Sequence, residues 1–196
     1  IRIDRLIEEV AEVNLAGTQI GYTLDLPYDL PPLIIDTAQM RLALQNVIVN
    51  AREAMPSGGH LTIKAGKVEQ ASESADPPPG TYVKIEFTDK GTGIAPEHLD
   101  KVFDPYFTTK QMGARKGTGL GLAITHSIVR RHNGHIEILS TQGQGTTVTI
   151  YLPLPSASVA AGQDISASAA RSPEEVPRLL VMDDEEEVRN VAVRLL

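Results

Sequence analysis

The order in which this chain presents an asparagine-bearing amphipathic segment and then two glycine runs limits its fold more than any other feature. Asn46-Val47-Ile48-Val49-Asn50-Ala51 comes first, Asp89-Lys90-Gly91-Thr92-Gly93-Ile94 second, and Gly117-Thr118-Gly119-Leu120-Gly121-Leu122 third. Each run alone recurs by chance. In this order and at this spacing they describe the walls of one nucleotide pocket, and they point to ATP as its occupant.

The asparagines belong to a helix. At about 100° per residue, Met40, Leu44, Val47, Ile48, Ala51 and Met55 share one face. Asp36 or Thr37 offers an N-cap, and Pro56-Ser57-Gly58-Gly59 offers the stop. Asn46, Asn50 and Glu53 fall together on the other side of that helix. A solvent-facing stripe is the plain alternative. Asn is a poor helix former, however, and solvent would more naturally meet Lys, Glu or Gln there. An amide oxygen suits Mg²⁺, which prefers oxygen donors and keeps several waters.

Asp89 stands at the end of a predicted strand, and the glycines after it permit a tight turn and close backbone approach. A carboxylate there can accept a hydrogen bond from an exocyclic amine such as that of adenine, with Gly91 and Gly93 leaving room for a flat base. An Asx-type turn capped by Asp89 is the alternative. The run from Gly117 to Gly121 opens a predicted helix, and backbone N–H groups at a helix N-terminus favour phosphate. It lacks the Gly-Lys-Ser/Thr ending of a P-loop, so that architecture is excluded.

The rest of the chain supplies a frame of mixed helices and strands. Ile3 to Val13 reads as an amphipathic helix, Thr18 to Leu26 as a half-buried strand, and Leu33-Ile34-Ile35 as a short strand after Pro31 and Pro32. Strands are expected at Leu61–Ala65 and Tyr82–Thr88, a short helix at Pro96–Val102, a helix at Leu120–Arg131, and a closing strand pair at Gly134–Ser140 and Thr146–Leu152. With strands adjacent at the end, this predicts an α+β fold, a two-layer α/β sandwich with helices on one face of a mixed sheet.

Composition excludes several classes. The net charge of −7 argues against a nucleic-acid-binding surface, which makes a local basic group near the glycine runs (Lys101, Lys110, Arg115, Lys116) conspicuous. A phosphate-bearing small molecule suits such a patch, although a solvated charged loop would look the same. The absence of cysteine removes disulfides, thiolate metal sites and Cys nucleophiles. No apolar run approaches the roughly 20 residues of a membrane helix, and no signal-peptide pattern opens the chain. After Pro153 the composition shifts: residues 156–177 are rich in Ala, Ser and Pro, as linkers are, and from Arg178 an apolar run ending in Asp183-Asp184-Glu185 begins another unit.

With these residues in view the chain resembles the GHKL family, and within it the catalytic ATP-binding domain of sensor histidine kinases. The matching pieces are an N box (Asn46 to Met55), a G1 box (Asp89 to Ile94), an F box (Phe103-Asp104-Pro105-Tyr106-Phe107-Thr108-Thr109-Lys110), a G2 box (Gly117 to Leu122) and a final Gly143-Gln144-Gly145-Thr146. The F box and Ala54-Met55-Pro56-Ser57-Gly58-Gly59 look most like the nitrogen-regulation type of kinase. The resemblance spans residues 1–155 and implies a Bergerat-type sandwich with ATP between the N-box helix and a lid over roughly Ala95 to Lys116. It implies that Asn50 holds Mg²⁺, that Asp89 binds the adenine amine, and that Gly91, Gly93 and Ile94 border the base above Thr146. Lys110, Arg115 and the Gly117, Thr118, Gly119, Leu120, Gly121, Leu122 run would meet the phosphates. Thr109 and Asn46 would also touch the nucleotide, and Phe103, Tyr106 and Phe107 would anchor the lid.

Two departures from the family pattern matter. ATP-hydrolysing members carry a water-activating Glu four residues before the metal Asn; here that position is Asn46, which cannot act as a base. Many kinases carry a basic residue three positions after Asn50, where this chain has Glu53. Transfer to a histidine is therefore expected over hydrolysis, with a conformational ATPase or a nucleotide-free interaction module as alternatives. The acceptor would lie on a histidine-bearing dimerisation domain outside this sequence, since His60, His98, His126, His132 and His135 lack the family's helical context. Residues 178–196 resemble the start of a response-regulator receiver domain, with Asp183 and Asp184 matching its acidic pair. The expectation is thus a piece of a bacterial hybrid kinase, working in the cytoplasm with ATP/ADP, a response regulator and no nucleic acid, and touching a membrane only through regions outside the chain.

Overall fold

The computed structural model describes residues 1–71, 77–109 and 118–155. Lys110, Arg115, Lys116 and Gly117, the linker and the receiver-like segment lie outside the described residues. The elements run α1 (Ile3–Leu15), β1 (Ile20–Asp25), α2 (Thr37–Ala54), β2 (Gly59–Gln70), β3 (Gly80–Asp89), α3 (Pro96–Leu99), α4 (Gly121–Arg131), β4 (His135–Thr141) and β5 (Gly145–Pro153).

The strands form one five-stranded mixed sheet in the order β1-β2-β3-β5-β4. β1 and β2 are parallel and the other neighbours antiparallel. Side chains alternate across a strand, so register decides which ones share a face. Ile63 pairs with Phe87, Phe87 with Val148, Ile85 with Ile150, and Ile150 with Ile136. All of these are buried, and they meet Ile3, Ile7, Met40, Leu44, Ile48 and Val129 of the helices in one core. Helices therefore cover that face of the sheet, in the expected two-layer α+β arrangement. A fully buried Phe or Ile in such a core contributes about 1.5–3 kcal/mol relative to exposure.

α2 starts where its cap predicts. Asp36 Oδ1 accepts the Gln39 N–H at 3.0 Å. The Asp36 N–H in turn donates to Nε2 of His132 at 2.9 Å, while the Nδ1–H of His132 donates to Ile128 O at 2.8 Å. The two contacts together set the tautomer of the ring and tie the end of α4 to the start of α2. All six apolar residues assigned to one face of α2 are buried.

Two expectations are corrected. Leu33-Ile34-Ile35 is not a strand: Leu33 alone is paired, its N–H donating to Ile1 O and its carbonyl accepting from the terminal amine of Ile1. Pro31 and Pro32 remove two donors just before it, and Ile34 is 83% exposed, so no ladder propagates. β2 is longer than its alternating segment because it pairs with β3 from Leu61↔Asp89 to Gln70↔Gly80. Cross-strand hydrogen bonding carries it through Lys67-Val68-Glu69, where the hydrophobic pattern is weak.

Candidate functional site

A cavity of about 550 Å³ opens between α2, the turn after β3, the start of α4 and the inner ends of β4 and β5. The three sequence runs converge on it. Asn46 and Asn50 line it from α2, Asp89 and Gly93 from β3 and its turn, and Gly119 and Gly121 from the start of α4.

Asp89 is the most constrained polar group there. It is 6% exposed, yet lines the cavity. Its Oδ1 accepts the N–H of Gly91 at 2.8 Å and the N–H of Thr146 at 3.3 Å. Both bonds end on one oxygen, so Oδ2 is the atom left to meet a donor in the cavity. Burial pushes the carboxyl pKa up, while the backbone N–H groups of Gly91 and Thr146 pull it down. A desolvated carboxylate held this way suits recognition of a neutral N–H donor, since burial has already removed water that an incoming hydrogen bond would otherwise have to displace.

The glycines of the first run serve the protein's own packing. Gly93 has φ of +65°, and a Cβ there would sit 2.1 Å from Thr141 O. The turn is thereby pressed against the β4–β5 connection, where Gly143 N–H also donates to Thr92 O. The side of Gly93 that a side chain would occupy is thus filled by backbone, while Gly93 itself still lines the cavity. Gly91 does not line the cavity; its contribution is the N–H that orients Asp89.

On α2, Asn46 donates through Nδ2 to Gly121 O at 3.1 Å, joining the helix to the second glycine run. Thr125 Oγ1 donates to the same carbonyl at 2.9 Å. Among the described residues nothing bonds the amide of Asn50, which is half-buried and lines the cavity. Glu53 lines the rim one turn on and is exposed.

α4 begins at this cavity without a side-chain cap, and Gly121 and Leu122 line the wall. The Leu120 N–H donates to Thr118 Oγ1 at 3.4 Å, and among the described residues no side chain takes the first-turn N–H groups that follow, so this start presents donors and the positive end of the helix dipole. Leu120 itself does not reach the cavity. Gly119, at φ of +66°, is held because a Cβ would meet the carbonyl carbon of Tyr106 at 2.4 Å.

The F-box segment contributes Phe107, Thr108 and Thr109 to the cavity, with Val102 beside them. Phe103 packs on the core and stacks on His126 with ring centroids 5.0 Å apart. Burial lowers the His126 pKa, as do the nearby charges of Arg130 and His135. Tyr106 corrects the expected aromatic anchor. The residue is 76% exposed and its φ is +67°. Its N–H is pinned to Gly119 O at 3.0 Å, so the backbone is held and the ring turns outward.

Sequence reasoning missed the apolar lining of Phe87, Ile138 and Val148, and the hydroxyl of Ser140 behind Thr146. Strand alternation could have found them. Phe87 lies two residues from Asp89, Val148 two from Thr146, and Ser140 pairs with Thr146 across the β4–β5 ladder.

Residues 35–156 match the histidine kinase-, DNA gyrase B-, and HSP90-like ATPase family. The chain belongs to that family. Relatives of this chain include sensor histidine kinases. Sensor kinase CckA of Brucella abortus is 37% identical over 93% of this chain and 20% of its own length. Sensor histidine kinase ZraS of Escherichia coli K12 is 42% identical over 73% of this chain and 27% of its own. The chain thus spans only a fifth to about a quarter of these relatives. Among solved structures, the mycobacterial sensor histidine kinase MprB superposes with a TM-score of 0.64 at 26% identity, over 78% of this chain and 96% of that one. Among the described residues no helix is long and apolar enough to cross a membrane.

Proposed function

We propose that this domain binds Mg-ATP in the cavity and donates the γ-phosphoryl group to a histidine on a dimerisation domain outside the chain, as the catalytic part of a sensor kinase. The observation that carries this reading is the pairing of Asp89 with the α4 N-terminus across one cavity. A buried carboxylate with one committed oxygen faces the same space as an uncapped helix start. The first suits the amine of adenine and the second suits phosphate, so one molecule carrying both ends fits both.

The donor set also fits Mg²⁺. No cluster of three or more His or carboxylate ligands exists among the described residues, so a protein cage is not available there. Mg²⁺ commonly takes one or two protein oxygens and completes its shell with phosphates and waters. The Asn50 amide oxygen is the ligand this cavity offers. A bound Mg²⁺ would neutralise charge on the phosphates. The protein's part is to hold the chain of phosphates in line, Asp89 and Thr146 at the base and the α4 N–H groups at the other end. In the transfer, the bond between the γ-phosphorus and the bridging oxygen breaks, a bond to an imidazole nitrogen forms, and ADP leaves.

The identity of residue 46 supports transfer over hydrolysis. Asn46 has no proton-accepting chemistry, and its Nδ2 is engaged by Gly121 O. The nitrogen-regulation character of the F box, the phosphate roles of Lys110, Arg115 and Gly117, and a cytoplasmic setting belong to the same proposal. So does the reading of residues 178–196 as the start of a receiver domain. The match to Sensor kinase CckA covers 93% of the chain, more than residues 1–155 could supply, so the likeness to a sensor kinase runs on into the tail.

Calorimetric titration of ADP and a non-hydrolysable ATP analogue, with and without Mg²⁺, tests the pocket on this chain and on Asp89→Asn. Saturable binding that the substitution weakens by roughly one to two orders of magnitude is expected. A folded sample that binds neither nucleotide would sink the kinase reading. Phosphotransfer from labelled ATP to a separately supplied histidine-bearing domain tests the reaction.

A further inference from the structure

Ser140 lies one step behind the cavity wall and does not line it. Its hydroxyl makes three contacts at the same distance of 2.9 Å: with the N–H of Ile94, with the carbonyl of Gly145, and with Oγ1 of Thr146. A serine hydroxyl has one proton and two lone pairs. The Ile94 N–H can only donate, so it occupies one lone pair. The Gly145 carbonyl can only accept, so it takes the proton. The remaining lone pair then receives the Thr146 hydroxyl, which must be the donor in that contact. One arrangement satisfies all three partners.

The consequence lies at Thr146, which does line the cavity. With its proton committed to Ser140, Thr146 Oγ1 has only lone pairs left for any further partner. Asp89 beside it accepts the Thr146 N–H and, as a carboxylate, also offers only lone pairs. We infer that Ser140 is a positioning residue that polarises Thr146 and completes an acceptor-only wall, which selects a purine with an exocyclic amine over one with a carbonyl at that position. This rests on the nucleotide reading and deepens it. Ile94 and Gly145 give the device its rigidity, because they lie on the turn after β3 and at the start of β5. The hydroxyl orientation is therefore set by backbone and not by the ligand.

Without Ser140, the Thr146 proton is released to point into the cavity and can meet a carbonyl oxygen. The pair that reads this is ADP and inosine diphosphate, which carry an amine or a carbonyl at the same ring position, the ring nitrogen beside it being bare in the first and protonated in the second. Binding of both to the full chain is measured by calorimetry for wild type, Ser140→Ala and Ser140→Thr. In Ser140→Ala the preference for ADP should fall by about three- to tenfold, because a hydrogen-bonding mismatch with inosine diphosphate has become a match. Ser140→Thr keeps the hydroxyl and should restore the wild-type ratio. Ser140→Cys has nearly the same shape but a weak acceptor, and should lower the ratio as well should the alanine variant fail to fold. In Thr146→Val the Ser140→Ala change should no longer alter the ratio, since the two act as one unit.

A uniform loss for both nucleotides in Ser140→Ala, or an unchanged ratio, would overturn the positioning role while leaving the pocket intact. Wild-type protein that binds neither nucleotide overturns the nucleotide reading itself, and the inference with it.

Discussion

Asn46 Nδ2 donates to the carbonyl of Gly121 at 3.1 Å, a contact that joins two glycine- and asparagine-rich motifs separated by 75 residues of sequence. The Gly121 carbonyl also receives Thr125 Oγ1, and Thr125 lies within 3.4 Å of Ala43 O on the same helix as Asn46. α2 and α4 are thus stitched together at the cavity edge, where each presents its candidate ligand groups. The tie places the Asn50 amide and the α4 N-terminus at a set separation.

Asn46→Ala removes this tie and leaves the Gly121 carbonyl with fewer donors. A loss of about 0.5–1.5 kcal/mol in unfolding free energy is expected. Urea denaturation followed by circular dichroism measures it. A larger effect on affinity for an ATP analogue than on affinity for adenosine would show that the tie sets the phosphate end.

Asp89→Asn should separate stability from binding. The asparagine Oδ1 can still accept from Gly91 and Thr146, while the buried charge is gone. Nucleotide affinity should fall by about 1.5–3 kcal/mol, the cost of losing a hydrogen bond to a charged acceptor. The thermal midpoint of the ligand-free variant at neutral pH should be no lower than that of wild type.

The same pair of proteins carries a pH signature. Burial raises the folded-state pKa of Asp89 above its ordinary value of 3.8. A raised pKa means the folded protein holds this proton more tightly than the unfolded chain does. The associated stabilisation is full below the unfolded pKa and is lost as pH rises through the folded one. The midpoint difference, variant minus wild type, should therefore be smallest at and below pH 3.8 and grow as pH rises through the folded-state pKa. A difference that shrinks with rising pH would contradict the burial argument.

Gly93→Ala places a methyl group against Thr141 O on backbone at positive φ. Left-handed backbone alone costs about 1–2 kcal/mol for a residue with a Cβ. The overlap adds to this, and neither backbone segment is free to move. A drop of more than about 2 kcal/mol, or failure to fold, is expected in chemical denaturation.

Tyr151, on the sheet face away from the helices, gives an independent check. Its hydroxyl donates to Glu137 Oε1 at 2.9 Å, and burial together with that bond raises its pKa to about 12. Ultraviolet titration should show a tyrosine ionisation step near pH 12, and Tyr151→Phe should remove it. The neutral phenol stabilises the fold below pH 10, and the contribution fades as pH climbs toward about 12. Wild type should accordingly lose stability over that interval faster than the variant.

Periodicity and capping in the sequence by themselves determined the helices, the sheet strands and the face of α2 that enters the core. Those signals are local: a 3.6-residue or two-residue repeat, an Asp cap, a glycine stop. The order of the boxes likewise announced Asp89, Asn46 and Asn50 as residues of one cavity, because few backbones need that succession. Only the tertiary structure decided what each polar atom does there. Gly93 packs on Thr141, Tyr106 turns outward, the Leu33 segment stops after one pair, and Ser140 stands behind Thr146 with its proton already assigned. Each outcome depends on a partner between 5 and 48 residues away. Hydrogen-bond direction and steric clearance are properties of atoms brought together, and no repeat along the chain encodes them.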